Sequence, residues 1–298
     1  MGSSNIKNYT RALRLPFVTA SLFPFIFGSL LSFSSWLNFI LGLTCAIATH
    51  LGANLINDYA DSKSGADWQD TKFYRFFGGS KLIQEGVFSE KFYLKNAIFA
   101  FLLALACVLI LAARFKNLSV LGYYLFILFL GFSYSHKPLK FSYHRLGELI
   151  IFLLFGPALV MGALFIQTQH FPTLQGFLLS IPLGIFTTAI LFANEIPDYL
   201  DDRKANKFTL VSLFGPKKSY IFYYLLLLVG FSSIIINVIL GYLDWPALLA
   251  LALALLGYKA GKILKENYAD KTKLINSAKM TIALHSLVSI ILILSLIL

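Results

Sequence analysis

The sequence predicts an all-α, polytopic membrane protein of about nine transmembrane helices, and three observations predict it. Hydrophobic residues make up 58% of the chain and charged residues only 13%, far more apolar than an ordinary soluble domain. Runs of about 20 apolar residues, the length that crosses a bilayer as a helix, recur throughout. Lys and Arg fall almost entirely into alternate connections between those runs, as in a multi-pass protein with a basic cytoplasmic side. The 298 residues are used up by these runs, so the chain reads as one integral-membrane domain, 1–298.

Taken in order, the spans read 15–33, 37–57, 95–113, 118–134, 147–167, 174–194, 219–240, 243–258 and 280–298. The first follows Lys7, Arg11 and Arg14 and superficially looks like a signal peptide; the many similar runs downstream make it a retained span. Gly2 does not signal myristoylation, because Ile6 stands where Ser or Thr belongs. Pro16, Pro24, Pro157 and Pro182 fall in or near spans, which membrane helices tolerate where neighbours satisfy the freed carbonyls. The second and sixth spans each run into an acidic cluster and then a long connection. Loops over about 12–15 residues are usually functional or hold short helices, so these two predict a cap. The outer connections, such as Thr168–Thr173, are short. With the N-terminus inside, all but Arg114 and Lys116 of the 25 Lys and Arg residues lie on the cytoplasmic side. The net charge of +11 is therefore topological first, and nucleic acid is excluded as the partner. The last basic connection spans 259–279. Cys45 and Cys107 lie inside apolar runs and read as core packing.

The chemistry sits in the two acidic clusters. The first is Asn54-Leu-Ile-Asn57-Asp58-Tyr-Ala-Asp61, with Asp67 beyond it. The second is Asn194-Glu195-Ile-Pro197-Asp198-Tyr-Leu-Asp201-Asp202-Arg203-Lys204. Asn57 and Asp61 are four residues apart, as are Asn54 and Asp58, Asn194 and Asp198, and Asp198 and Asp202, which on a helix puts each pair on one face. Carboxylates so close together and so near hydrocarbon are costly. A hard divalent cation offsets that cost, and Mg²⁺ typically takes one or two carboxylates plus substrate phosphates. The expectation is two acidic helix ends facing one another, with Mg²⁺ and a diphosphate between them. Asp67 and Asp201 also read as solvated loop acids, and Glu148 as a helix-start carboxylate favoured by the dipole. His50, His136, His144, His170 and His285 form no zinc-binding spacing and read as structural or interfacial.

At these clusters the chain resembles the UbiA superfamily of intramembrane aromatic prenyltransferases. Asn57-x-x-x-Asp61, with Asp58 and Asp67, is similar to that family's first Asp-rich motif. Asp198-x-x-x-Asp202, followed by Arg203-Lys204 and Lys207-x-Thr209-Leu210, is similar to its second. Arg75-x-x-Gly78-Gly79 with Gln84-Glu-Gly86 resembles the loop after the first motif. Tyr134-Ser-His-Lys-Pro138-Leu-Lys140, Leu146-Gly147-Glu148 and Phe155-Gly156-Pro157 resemble the segment around the fifth span. The combination is closest to the menaquinone-branch members, which prenylate 1,4-dihydroxy-2-naphthoate. The chain departs from them at Glu195 and Pro197, where that branch often carries a second Asn and an Arg.

The resemblance implies helices around a central cavity under a cytoplasmic cap. It implies Mg²⁺-dependent transfer of a polyprenyl group from an allylic prenyl diphosphate to an aromatic acceptor. Asp58, Asp61, Asp67, Asp198 and Asp202 would hold metal, with Asn57 and Asn194 orienting ligands or phosphate oxygens. Arg75, Lys81, Lys140 and Lys204 would contact diphosphate. Tyr134 would stabilise the allylic carbocation through its ring face. Gly156, Gly162 and Gly184 would shape a dry groove for the tail between helices. Hydroxybenzoate, homogentisate, a glycerol-phosphate lipid, a chlorin or haem remain alternative acceptors. The Asp-Gly-x-x-Ala-Arg pattern of CDP-alcohol phosphotransferases is absent. An ion-coupled carrier is disfavoured because its ionisable groups would sit near the midplane in broken helices.

Overall fold

The computed structural model describes residues 2–68, 70–171 and 173–297. Met1, Gln69, Pro172 and Leu298 lie outside the described residues. Those four positions include both ends of the expected domain 1–298, one residue of the connection Thr168–Thr173 and the last residue of the span 280–298.

The first half of the chain forms α1 (Gly2–Ala12), α2 (Thr19–Leu30), α3 (Trp36–Ser64), α4 (Glu90–Phe115), α5 (Ser119–Ser135), α6 (Gly147–Leu153) and α7 (Leu159–Thr168). The second half forms α8 (Leu174–Lys204), the single turn α9 (Val211–Phe214), α10 (Ser219–Ile239), α11 (Ala254–Asn267) and α12 (Lys271–Ser295). No strand is present among the described residues, apart from one isolated bridge between His144 and Phe208.

Seven helical stretches are long and apolar enough to cross a bilayer, or eight if the bent pair Asn5–Ala12 and Leu15–Leu30 counts as one span. The remaining expected span, 118–134, falls on α5, a shorter apolar helix. The 48° bend in the first span has a local cause. Arg14 sits at φ 50°, and Pro16 two residues later has no N–H to continue a helical ladder. Elsewhere the ends are capped by side chains. Ser35, Ser89 and Thr173 accept backbone N–H groups at the starts of α3, α4 and α8, and Asp270 does so at α12. α3 stops at Gly65, whose φ of 80° needs a residue without Cβ.

The fifth span is interrupted by a π-helical turn, Leu154–Ala158, which carries Pro157 between α6 and α7. Here α8 comes backbone to backbone: a Cβ on Gly156 would lie 2.7 Å from Gly184 Cα. Gly156 and Gly184 are therefore helix-contact residues of the kind that let membrane helices approach closely, not walls of a groove. Of the three, Gly162 borders a cavity, where Tyr123 packs against it.

α8 is the centre of the bundle, with 72% of its apolar window buried against 28–50% for the other long spans. Phe186 and Phe192 on α8 pack with Tyr223 and Ile234 on α10 and with Leu284 and Val288 on α12 in the largest core cluster. Outer faces carry exposed Phe99, Leu102, Phe126, Phe129, Leu228 and Ile239, apolar side chains suited to lipid.

Because α3 runs to Ser64 and α8 to Lys204, the long connections narrow to 65–89 and 205–218. The first turns back onto the bundle and buries Tyr74, Phe76, Phe77 and Leu82. Arg11 fastens it through the Ser80 carbonyl at 2.6 Å and both Glu85 carboxylate oxygens. The second is tied to the α5–α6 connection, where Phe208 N–H donates to the Tyr143 carbonyl and Arg145 N–H to the Phe208 carbonyl. The expected basic connection 259–279 is mostly helix. Lys259, Lys262 and Lys265 lie on α11, and Lys271, Lys273 and Lys279 on α12, with only 268–270 between.

Candidate active site

Under these connections lies a polar cavity of about 290 Å³, walled by the ends of α3 and α8. From α3 come His50, Asn54, Asn57 and Asp61, spaced by four, three and four residues into one stripe. From α8 come Thr187, Leu191, Asn194, Glu195, Asp198, Asp201 and Asp202. The two helices end on the same side of the bundle, so the two acidic clusters face one cavity.

Asp58 is the exception. It is not part of that cavity wall, is 2% exposed, forms an ion pair with Arg14 and accepts the Ser80 N–H at 3.2 Å. Asp67 does border the cavity, but its Oδ1 is taken by Lys81 Nζ at 2.7 Å. Burial raises the Asp67 carboxyl above the usual aspartate range, against the opposing pull of Lys81. Three of the five expected metal ligands are matched to side-chain cations in this structure, Asp58 to Arg14, Asp67 to Lys81 and Asp202 to Lys207.

The glycine pair of the first connection is explained by this geometry. Gly78 (φ 72°) donates its N–H to Asp198 Oδ2 at 3.2 Å, and a Cβ on Gly79 (φ 79°) would sit 2.8 Å from Asp67 Oδ2. Backbone reaches the carboxylates only where side chains are missing.

Lys207 meets Asp202 Oδ1 at 3.1 Å. Burial works against its charge, but Asp202 and the neighbouring acidic groups hold its pKa well above the ordinary lysine value. Lys271, at the start of α12, bridges Asp70 at 2.8 Å and Asp201 at 2.7 Å. Burial opposes the ionised Asp70 carboxylate, but the Lys271 ammonium and the Lys72 N–H hold its pKa below the usual range.

Of the cations expected on diphosphate, only Lys81 reaches the cavity wall. Lys140 stacks over the Tyr143 ring at 4.3 Å, Arg75 is exposed over Phe76, and Lys204 is 64% exposed beside Asp201. Arg14, Lys72, Lys207 and Lys271 line the cavity in their place. Lys207 stood inside the second motif and could have been found by counting on from Asp202. His50 could have been found by extending the Asn54, Asn57, Asp61 stripe back one turn. Lys271 has no local signal, since its partners lie 70 and 201 residues away in sequence.

A second cavity, apolar and about 450 Å³, lies deeper between α3, α4, α5 and the fifth span. Phe101, Tyr123, Tyr124, Phe132 and Leu154 are among its walls. The two cavities share His50, Asn54, Asn57, Tyr134, Ile151 and Phe155. His50 is held there by Ser21, with Nδ1 2.8 Å from Ser21 Oγ. Tyr134 thus stands where a charged chamber passes into a hydrocarbon one.

The donor set fits Mg²⁺. Asn194 Oδ1 and Asp202 Oδ2 are buried with no hydrogen-bond partner among the described residues, and no described residue donates to the Asp61 carboxylate. All are oxygen ligands. No three carboxylates, imidazoles or thiols converge into a ready cage among the described residues, so phosphate oxygens would complete the coordination shell.

Comparison with known proteins gives the same picture. A model of the UbiA prenyltransferase family matches residues 21–284. The UbiA prenyltransferase domain-containing protein 1 of Mus musculus is 33% identical over 239 residues, covering 75% of this chain and 66% of the mouse protein. The chain therefore spans just under two thirds of that relative's length. Among solved structures, the apo UbiA homologue of Aeropyrum pernix superposes with a TM-score of 0.68 at 16% identity, covering 94% of this chain and 96% of that one. The UbiA homologue of Archaeoglobus fulgidus bound to GPP and Mg²⁺ superposes with a TM-score of 0.64 at 17% identity, covering 96% and 99%.

Proposed function

The chain belongs to the UbiA prenyltransferase family, and from that premise we propose that it transfers a polyprenyl group from an allylic prenyl diphosphate to an aromatic acceptor, 1,4-dihydroxy-2-naphthoate. The observation that carries this is the junction of two cavities. Acidic and basic groups line the outer one, aromatic and aliphatic side chains the inner one, and Tyr134 stands at the seam. A prenyl diphosphate has that same division of polarity.

Asp61, Asp198, Asp202 and Asn194 would hold Mg²⁺, which supplies Lewis-acid neutralisation of the leaving diphosphate. Lys81, Lys207 and Lys271 line the same wall and can donate to phosphate oxygens. The Arg14–Asp58 pair fixes α3 against the start of the chain. The tail lies along the apolar cavity, which excludes water from the reacting carbon. Tyr134 presents a π face on which allylic positive charge is stabilised. The naphthoate choice rests on the motifs around Tyr134 and Gly147-Glu148. The distribution of Lys and Arg supports a cytoplasmic site and N-terminus.

The test is an assay of purified protein in detergent with labelled geranylgeranyl diphosphate, Mg²⁺ and 1,4-dihydroxy-2-naphthoate, beside an EDTA control. Mg²⁺-dependent prenylated naphthoate is expected. Diphosphate binding without that product moves the acceptor to a hydroxybenzoate, homogentisate or glycerol phosphate. Absence of diphosphate binding ends the prenyltransferase reading in favour of a carrier.

A further inference from the structure

Glu195 faces the polar cavity from α8 yet is only 4% exposed, and neither of its carboxyl oxygens meets a donor among the described residues. Glu148, 3% exposed at the start of α6, gives one oxygen to the Leu210 N–H at 2.9 Å and leaves the other without a donor. Glu148 is a close acidic neighbour of Glu195. Neither role assigned so far uses this pair. Lys207 lines the same cavity, but its ammonium is engaged by Asp202.

A buried carboxylate without its full set of donors is unfavourable unless a donor arrives from elsewhere. Glu195 borders a cavity, so a bound molecule can bring it. The diphosphate cannot, because it offers only acceptor oxygens and like charge. Glu195 also lies one helical turn deeper than Asp198, toward the seam with the apolar cavity and away from the helix end. What belongs there is the second substrate, seated against the reacting end of the prenyl chain.

We infer that Glu195, backed by Glu148, reads a hydroxyl group on the aromatic acceptor. A Glu195 carboxyl oxygen accepts the acceptor's O–H. Glu148, anchored on the Leu210 N–H, packs beside Glu195 and fixes its orientation. The inference rests on the aromatic acceptor proposed above. It makes position 195 a determinant of acceptor specificity and not a part of the diphosphate clamp. A site built to bind a hydroxyl rejects the analogue that lacks it, because the buried polar group is then left unpaired.

The experiment is calorimetric titration of full-length protein in detergent with Mg²⁺ and geranylgeranyl S-thiolodiphosphate, an unreactive donor. The titrants are 1,4-dihydroxy-2-naphthoate and its di-O-methyl ether. The wild-type protein is expected to prefer the dihydroxy form by about 10- to 100-fold, the worth of one hydrogen bond to a charged group. Glu195→Leu should abolish that preference. Glu195→Gln, which keeps an acceptor oxygen, should retain part of it. The thiolodiphosphate Kd should stay within about twofold in both variants.

Equal binding of naphthoate and ether by the wild-type protein overturns the inference, and needs no folded variant. So does a preference that survives Glu195→Leu. Where the wild-type protein does not bind naphthoate, 4-hydroxybenzoate and homogentisate are titrated against their methyl ethers. If no phenol is preferred over its ether, the inference fails while thiolodiphosphate binding upholds the family reaction. Loss of thiolodiphosphate binding in the wild-type protein instead refutes the proposed donor.

Discussion

Lys207 Nζ lies 3.1 Å from Asp202 Oδ1, while Asp202 Oδ2 has no donor among the described residues. One side of this carboxylate is neutralised by the protein and the other is open. Lys207→Met should weaken Mg²⁺-dependent prenyl diphosphate binding by about 10- to 100-fold, the worth of a charged hydrogen bond, with Lys207→Arg keeping most of the affinity. The Kd by titration decides. An unchanged value would make the ammonium purely structural.

Among the described residues, Asp61 has no side-chain cation partner and Asp198 only the Gly78 N–H. Removing either leaves no buried charge stranded. Asp61→Ala and Asp198→Ala should therefore melt within a few degrees of the wild-type protein yet show no detectable turnover, matching the wild-type protein in EDTA. Full activity in either variant would sink the metal clamp.

Asp58 should behave oppositely, although it adjoins the same motif. Asp58→Ala strands Arg14 against a buried wall and should cost about 3–5 kcal/mol, as breaking a buried pair does. The addition of Arg14→Met should recover much of that loss. Thermal unfolding of the single and double variants tests this, and a strictly additive double variant would refute the pairing.

At Gly184 an added methyl would meet Phe152 and the Gly156 backbone at 2.9–3.0 Å, whereas at Gly122 nothing lies within 4 Å. Gly184→Ala should destabilise by about 1–3 kcal/mol, as overpacking does. Gly122→Ala should be neutral or slightly stabilising, since Ala is the better helix former. Comparable melting temperatures for the two would contradict the close helix contact.

Because the Asp70 pKa lies below its unfolded value, its tie to Lys271 stabilises the fold fully above about pH 4–5, the upper end of ordinary aspartate titration. That stability is lost as pH falls through the lowered value. Proteolysis in the 65–89 connection should accelerate below that range in the wild-type protein. In Asp70→Asn, pH should have a smaller effect. Protection that persists equally in both at low pH would mean the tie does not hold the connection.

Spans and motifs were legible because both are local. A 20-residue apolar run and a four-residue spacing carry their meaning wherever the chain goes. That the two motifs share one side of the bundle followed from counting the spans between them. Which carboxylates face the cavity was less legible. Asp58 and Asp61 are three residues apart, and the partners that separate their roles, Arg14 and Ser80, come from elsewhere in the chain. Lys140 and Lys204 looked suitable by sequence neighbourhood. Lys271 took a bridging place because α12 begins beside α8, which no spacing records. His50 was passed over because an isolated histidine in an apolar run has no periodicity of its own until the acidic stripe is extended to it.

The six residues shared by the two cavities mark a phase boundary inside the protein. On the proposed reaction, the bond that breaks is the one that joins the water-loving and oil-loving halves of the donor, so it lies on that boundary. Once it breaks, the products no longer prefer the same medium. Diphosphate and its cation partition to water, and the lengthened ring partitions to the bilayer. The reverse reaction would have to recruit its two reactants from two phases. The placement of the seam therefore makes the transfer hard to undo, by dilution, without any moving part.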